Sequence, residues 1–406
     1  PFARPTRDDF ISLDRGEGAV VWDVHGNEYL DAMGSLWYCA IGHGRREMAD
    51  AIAAQVMRLE SYSCFDPFTN PWADALAERL VSLTPIPDAR VFLCQSGSES
   101  VDTAMKLARV AHVQAGHPER TLIISRTRGY HGTNYGGTSA QGLAGNKVGW
   151  GGLLPDVVQV PSDDVEAVAR LMSERSGEVA AVITEPVQGA AGVFPPEPGY
   201  LEALRRLCDQ HGAFLVFDEV ITGFGRLGEW FAADFYGVIP DITTFAKAVT
   251  SGYQPLGGVF VGAAVRAPIE ADPDFKLTTG YTYSGHATAC VAALTNIDII
   301  EREGLLARAT QIGLRLGAGF HSIAADGLVD HARGEGAMWA VGMHPGQDAN
   351  VLRGHMLDAG IICRPIADHS LTFCPPLVTS DEQIDSIIDA LAAAAAEEHH
   401  GTPRRA

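Results

Sequence analysis

The chain has 406 residues, with 30 Lys+Arg against 50 Asp+Glu and a formal charge of −20. Its 46% apolar and 20% charged residues exclude disorder, and its acidic balance excludes a nucleic-acid binder or polybasic membrane anchor, both of which need a basic face. At ~100–200 residues per domain, the length predicts one large domain or two to three smaller ones, with core enough to fold without disulfides or metal.

In chain order, the opening PFARPTRDDF lacks an apolar leader segment, which predicts no signal peptide. Its start at Pro1 and not Met suggests that a few residues were trimmed. VVWDVHGNEYLDA (20–32) reads as a two-stranded hairpin turning at His25-Gly26. From about 72 to 290, short apolar runs alternate with helical patterns. Strands are predicted at 90–95, 121–126, 180–186, 214–220, 241–247 and 257–263, with helices from Glu99 to Ala111 and Gly199 to His211. Such near-continuous apolar strands alternating with helices predict a mostly parallel sheet covered on both faces. From Ala289 follow a long helix, strand-like MWAVGM (338–343) and SLTFCP (370–375), and a last helix from Ser380.

The expected architecture is therefore α/β. A large domain spans 61–290, and a smaller α+β lobe is built from both ends, 1–60 and 291–406. No apolar run approaches the ~18–20 residues of a membrane span. The seven cysteines (39, 64, 94, 208, 290, 363, 374) form no C-x-x-C pair and mostly lie in apolar runs, which predicts reduced thiols in a cytoplasmic protein.

Four landmarks fall where strands end, the place where open α/β sheets bind ligands. Ser96-Gly97-Ser98-Glu99 opens a helix, so the free N–H groups at Gly97 and Ser98 can hold an anion. An ordinary N-cap through Ser98 would read the same. Asp218-Glu219 ends the run FLVF; an Asp there is desolvated unless it meets a cation or caps a loop. Lys247, in TTFAKAVTSG, is one of only four lysines, with Lys106, Lys147 and Lys276. Desolvation would make its amine a Schiff-base nucleophile, and snorkelling is the bland alternative. Tyr130-His131-Gly132 lies in a Gly-rich loop, where the tyrosine could stack on a planar group or simply pack on the surface. Together they match pyridoxal 5′-phosphate (PLP), with its phosphate, ring face, ring nitrogen and aldehyde each met once.

The motifs SGSES, YHG, EPVQG, VFDEVITGFGRLG, the Lys247 segment and YTYSGHATAC, with 29 residues from Asp218 to Lys247, resemble the class III PLP-dependent aminotransferases over roughly 10–392. The resemblance implies an aspartate-aminotransferase-like fold (fold type I) and a homodimer with shared active sites, or a tetramer. It implies that Thr282 reaches the phosphate from the partner subunit and that Val220 packs on the ring face opposite Tyr130. His131 and Glu185 are expected beside the cofactor, Glu185 as a supporting hydrogen-bond acceptor. Ser100 departs from the usual Ala. The implied reaction is a two-stage exchange, in which Lys247 carries the cofactor and moves a proton while Asp218 keeps the ring nitrogen protonated. The cofactor shuttles between PLP and its amine form, PMP, and no metal is expected.

Within the family, Arg364 in IICRPIADHSLTFCPPL matches an arginine that binds the substrate carboxylate, a role suited to its bidentate fork; a structural arginine is the alternative. Ala190 stands where ornithine- and 4-aminobutyrate-type members carry a glutamate that pairs with that arginine. Leu36, Trp37 and Phe65 lie where the amine–pyruvate (ω-) transaminases place apolar pocket walls, although Trp37 reads equally well as core. The expectation is an amine or ω-amino acid donor with pyruvate as acceptor. Alternatives are diaminopelargonate, polyamine or 4-aminobutyrate transamination, an aminomutase, a decarboxylase, or a non-enzymatic homologue, which would be expected to lose Lys247 or Asp218. Arg226, in GFGRLG, is expected to serve either its loop or a dimer contact.

Overall fold

The computed structural model describes residues 10–366 and 369–399. Most of the opening stretch, and Ala367-Asp368 within the Arg364 motif, lie outside them.

The chain starts with an antiparallel meander, β1 (Leu13–Glu17), β2 (Val20–Asp23) and β3 (Glu28–Asp31). The expected hairpin is β2–β3. Asp23 closes its turn by accepting the backbone N–H groups of His25 and Asn27, each at 2.9 Å, and Gly26 supplies the left-handed step (φ 85°).

The central sheet follows: β4 (Arg90–Cys94), β5 (Leu122–Arg126), β6 (Val157–Val160), β7 (Val179–Thr184), β8 (Phe214–Asp218), β9 (Ile242–Phe245) and β10 (Gly257–Val261). Its spatial order is β4-β10-β9-β8-β7-β5-β6. All pairings are parallel except those of β10, which runs antiparallel to both neighbours. Strands β7, β9 and β10 are buried at every position. That is the signature of a sheet sandwiched between helices, and the reason these strands read as largely apolar runs with no charged residue. The edge strand β6 escaped prediction because it is short, partly exposed and carries Gln159.

The C-terminal part supplies β11 (His331–Glu335), β12 (Met338–Gly342), β13 (Ile361–Ile362), β14 (Arg364–Ile366) and β15 (Ser370–Phe373). Four of them form an antiparallel sheet, β11-β12-β15-β14, while β13 joins β3 in parallel and so ties the two ends of the chain together. The long helix expected from Ala289 is two, Ala287–Arg302 and Leu305–Ala325, broken at Gly304 with φ 64°. A left-handed residue ends one helix and starts the next, and glycine adopts it without steric cost.

Arg226 is buried and donates to the carbonyls of Pro375 (2.7 Å) and Ala337 (3.4 Å). It locks the loop after β8 to the C-terminal sheet. All seven cysteines are free. Among the described residues, no helix is long and apolar enough to cross a membrane.

Candidate active site

The site gathers at the carboxyl ends of β4, β5, β7, β8 and β9. The helix after β4, Gly97–Gln114, starts two residues before the predicted point and buries Val101, Ala104, Met105, Leu107, Ala108 and Ala111. Its cap is Ser96, whose Oγ accepts the Glu99 N–H at 3.2 Å, while the Glu99 carboxylate reaches back to the Gln95 N–H at 2.7 Å. Ser98 is therefore not the cap. Its Oγ accepts the Thr133 N–H at 3.0 Å and lies 3.3 Å from the Thr133 hydroxyl. The N–H groups of Gly97 and Ser98 meet no acceptor among the described residues. Two free amides, two hydroxyls and a helix N-terminus make an anion cradle.

Glycine is required at its edges. A Cβ on Gly97 would come within 2.9 Å of Val220, and one on Gly132 (φ 95°) within 2.6 Å of Ser98 Oγ.

Asp218 ends β8 at 5% exposure. One carboxylate oxygen pairs with His131 Nδ1 at 2.8 Å; the other accepts the Thr244 hydroxyl at 3.0 Å and the Val220 N–H at 3.3 Å. The other ring nitrogen of His131, Nε2, is buried without a hydrogen bond among the described residues. The neighbouring Glu219 points elsewhere: it accepts the N–H groups of Ala232 and Ala233 and the Thr222 hydroxyl, and burial raises its pKa to about 7. Of that acidic pair, Asp218 alone serves the site.

Tyr130 is positioned by its backbone, whose N–H donates to Glu185 Oε1 at 2.8 Å; Glu185 Oε2 accepts the Gly189 N–H at 3.1 Å. Burial raises the pKa of Glu185 to about 7, and buried Arg126 donates to its carbonyl. Burial also raises the Tyr130 phenol.

Lys247 follows β9 with φ 50°, a left-handed conformation uncommon for a long side chain. Burial lowers the pKa of its amine, against the opposing fields of Asp218 and Glu185. Its amine makes no hydrogen bond among the described residues. The field of Arg364 reaches both Lys247 and Tyr130, which brings that arginine to the same site from β14. The Arg364 guanidinium is exposed and has no ion pair among the described residues.

Leu36 and Phe65 are 49% and 52% exposed, whereas Trp37 is 4% exposed and belongs to a core cluster with Met33, Val187, Ile221 and Met338. A Cβ on Gly189 would lie 2.6 Å from its ring. The turn bearing Leu36 and Trp37 is strained, with Ser35 at φ 60° and Trp37 at φ 65°. Asp31 holds it by accepting the N–H groups of Met33 (3.1 Å) and Ser35 (2.6 Å), and His43 Nε2 braces Asp31 at 3.0 Å. Thr282 is exposed and hydrogen-bonds to none of these residues within its own chain.

Sequence reasoning missed Thr133, Thr244 and the Asp31–His43 pair. The first two carried weak signals: a threonine directly after YHG, and a pair of hydroxyls, Thr243 and Thr244, in the buried strand β9 that leads to Lys247. Among the described residues, no group of three or more His, Cys, Asp and Glu could hold a metal.

The side chains present fit PLP. The open amides suit a phosphate, the buried carboxylate suits a ring N–H, and the desolvated, unbonded amine suits an aldehyde. The family model for class III aminotransferases matches residues 2–395. The chain is 35% identical to the β-alanine–pyruvate aminotransferase of Pseudomonas aeruginosa, covering 92% of this chain and 89% of that one. It is also 35% identical to an ω-aminotransferase of Caulobacter vibrioides, over 90% and 88%. A PLP-bound amine transaminase from an uncultivated Pseudomonas species superposes with a TM-score of 0.92 at 35% identity, over 98% and 97%. Geometry and relatives agree: the chain belongs to the class III aminotransferases, PLP-dependent transaminases of fold type I.

Proposed function

We propose that the chain is an amine–pyruvate (ω-) transaminase, acting on an amine or ω-amino acid donor and passing the amino group to pyruvate. The observation that carries this reading is Arg364. Its guanidinium has no ion pair among the described residues, its field reaches Lys247 and Tyr130, and Ala190 stands where a glutamate would otherwise neutralise it. An arginine free of a carboxylate partner can bind a keto acid in one half-reaction and leave room for a carboxylate-free amine in the other. The relatives named for β-alanine–pyruvate and ω-amino transfer support the same assignment.

In this reading, the Gly97 and Ser98 amides and the Ser98 hydroxyl bind the cofactor phosphate. Asp218, held rigid by His131 and Thr244, keeps the proton on the ring nitrogen. Tyr130 and Val220 flank the ring. When bound, PLP withdraws electrons from the substrate carbon. Lys247 would hold the cofactor aldehyde and would move the proton at that carbon; its lowered pKa suits an amine that must act as a base. Leu36, Trp37 and Phe65 shape the donor side. The working form is a homodimer in the cytoplasm. Support comes from exposed Tyr62, Phe65, Phe68 and Tyr283, which a partner would cover, and from seven unbridged thiols.

The test is a panel of 1-phenylethylamine, 2-aminopropane, β-alanine, 4-aminobutyrate and putrescine against pyruvate and 2-oxoglutarate. We expect turnover of the carboxylate-free amines and a kcat/KM for pyruvate at least about tenfold above 2-oxoglutarate. A preference for 2-oxoglutarate with ω-amino acids overturns the assignment.

A further inference from the structure

We propose that Arg333 is a positioning residue for keto-acid recognition: it joins the loop that carries Ala190 to the strand pair that carries Arg364. The inference rests on the reading of Arg364 as the carboxylate site and adds what sets that arginine's place.

Arg333 lies on β11, opposite Ala340 of β12. Its Nε donates to the carbonyls of Gly192 (3.0 Å) and Val193 (3.1 Å). Its Nη2 donates to Gly192 O at 2.7 Å and to Ser370 Oγ at 2.6 Å. One planar fork thus grips two separate segments.

The first segment is Gly189–Phe194, a loop closed on itself by the Gln188–Phe194 backbone pair at 3.0 and 2.9 Å. It contains Ala190. The second is β15, whose Ser370 pairs with Ile366 and whose Thr372 pairs with Arg364 itself. The Thr372 hydroxyl also donates to the Arg364 carbonyl at 3.0 Å.

The grip is reinforced. The Arg333 guanidinium stacks 4.0 Å from the Phe194 ring, and Arg128 packs on the same ring at 4.2 Å while pairing with Asp163 at 2.8 Å. Arg128 and Asp163 follow β5 and β6, so the central sheet, the Ala190 loop and the Arg364 strand meet at one contact. Loss of the fork would remove its bonds to the Gly192 and Val193 carbonyls and to the Ser370 hydroxyl together. Arg364 would then sample more positions, and a small carboxylate would feel the loss first. A lysine restores the charge but neither the bidentate geometry nor the planar stack.

The experiment follows each half-reaction of the holoenzyme by single-turnover absorbance, for wild type, R333M, R333K and R364A. For R333M we expect the pyruvate concentration at half-saturation to rise about tenfold, with the saturating rate within about twofold. The 2-aminopropane half-reaction should stay within about twofold in both kinetic constants. R333K should resemble R333M and not wild type. Hydrogen exchange on the same proteins should rise at 189–194 and 364–373, a readout independent of turnover.

Equal losses in both half-reactions, or no loss in either, overturn the proposal. A wild-type R333K reduces Arg333 to a charge effect and overturns it as well. The R364A control separates the two readings. If R364A spares pyruvate, the carboxylate assignment falls and this proposal with it. If R364A is selective and R333M is not, the positioning role alone falls.

Discussion

At the scale of single residues, the site is built from groups that would be costly anywhere else. A lysine at φ 50°, a buried carboxylate that needs three partners to be held there and a buried histidine nitrogen with no hydrogen bond among the described residues each carry a cost. Their coincidence at the ends of adjacent strands is better explained by ligand binding than by packing. Glu185 is a sharp case, because its two oxygens serve two different backbone amides, Tyr130 and Gly189. A glutamine there can accept with one atom only, and its NH2 must face the second N–H. Glu185→Gln should cost about 1–3 kcal/mol in denaturant unfolding and loosen Tyr130, seen as a broadened cofactor absorbance band. Gly132→Ala should be worse for the cofactor than for the core. The new Cβ meets Ser98 at 2.6 Å in a left-handed backbone, so the phosphate cradle must open. We expect about 2 kcal/mol of destabilisation and at least about tenfold weaker PLP retention on dialysis. Unchanged retention would show that the cradle binds no phosphate.

At the scale of elements, the Gly34–Trp37 turn depends on one ion pair outside the site. Asp31 anchors the strained turn, and His43 anchors Asp31. Burial disfavours the charged imidazole, but hydrogen bonds to Asp31 and Cys39, with their fields, outweigh it and raise the His43 pKa from 6.5 to about 10. The folded protein thus holds this proton more tightly than the unfolded chain. The resulting stabilisation is complete below pH 6.5 and is lost as the pH rises through about 10. Solvent screening of this partly exposed histidine cuts the roughly 5 kcal/mol that the shift alone would give, so wild type should lose about 2 kcal/mol of unfolding free energy across that window from this pair, and His43→Gln should not show that part of the slope. Parallel slopes would mean that the histidine is neutral throughout. Such a device was not legible in the sequence, because Asp31 and His43 are brought together by a turn that puts Ser35 and Trp37, and not only Gly34 and Gly42, in left-handed conformations. Strands β7 to β10 were legible, since burial on both faces leaves mostly apolar runs, broken only by small hydroxyls such as Thr243 and Thr244 and by the site carboxylate of Asp218. Strand β6 and the break at Gly304 were not, the first for its exposed edge and the second because apolar periodicity continues on either side of the glycine. The contrast extends to the site. Lys247, Asp218 and Tyr130 carry their chemistry in their residue type, whereas Thr133, Thr244 and Arg333 act through geometry that only folding assembles.

At the scale of the whole molecule, a chain of net charge −20 must collect two anions, a phosphate and a keto acid. Local donors have to overcome an unfavourable average field, and among the described residues of one chain the phosphate cradle contains amides and hydroxyls but no cation hydrogen-bonded to it. That makes a further donor from a second subunit worth more than it would be on a neutral protein. Thr282 is the candidate, exposed and hydrogen-bonded to none of the site residues of its own chain. A hydroxyl donating to a charged phosphate contributes about 1.5–3 kcal/mol, so Thr282→Ala should weaken cofactor binding about 10- to 100-fold. The decisive arrangement is a mixed dimer of a Thr282→Ala chain with a Lys247→Ala chain. If Thr282 serves the partner, the Lys247 of the first chain receives an intact Thr282 from the second, and one complete site forms per mixed dimer. Tight PLP binding and turnover should then reappear on co-expression, where each homodimer alone is deficient, and the active species should run at twice the 43.2 kDa of the chain. If Thr282 instead served its own chain, the mixed dimer would hold only the two defective sites already present in the homodimers, and mixing would restore nothing.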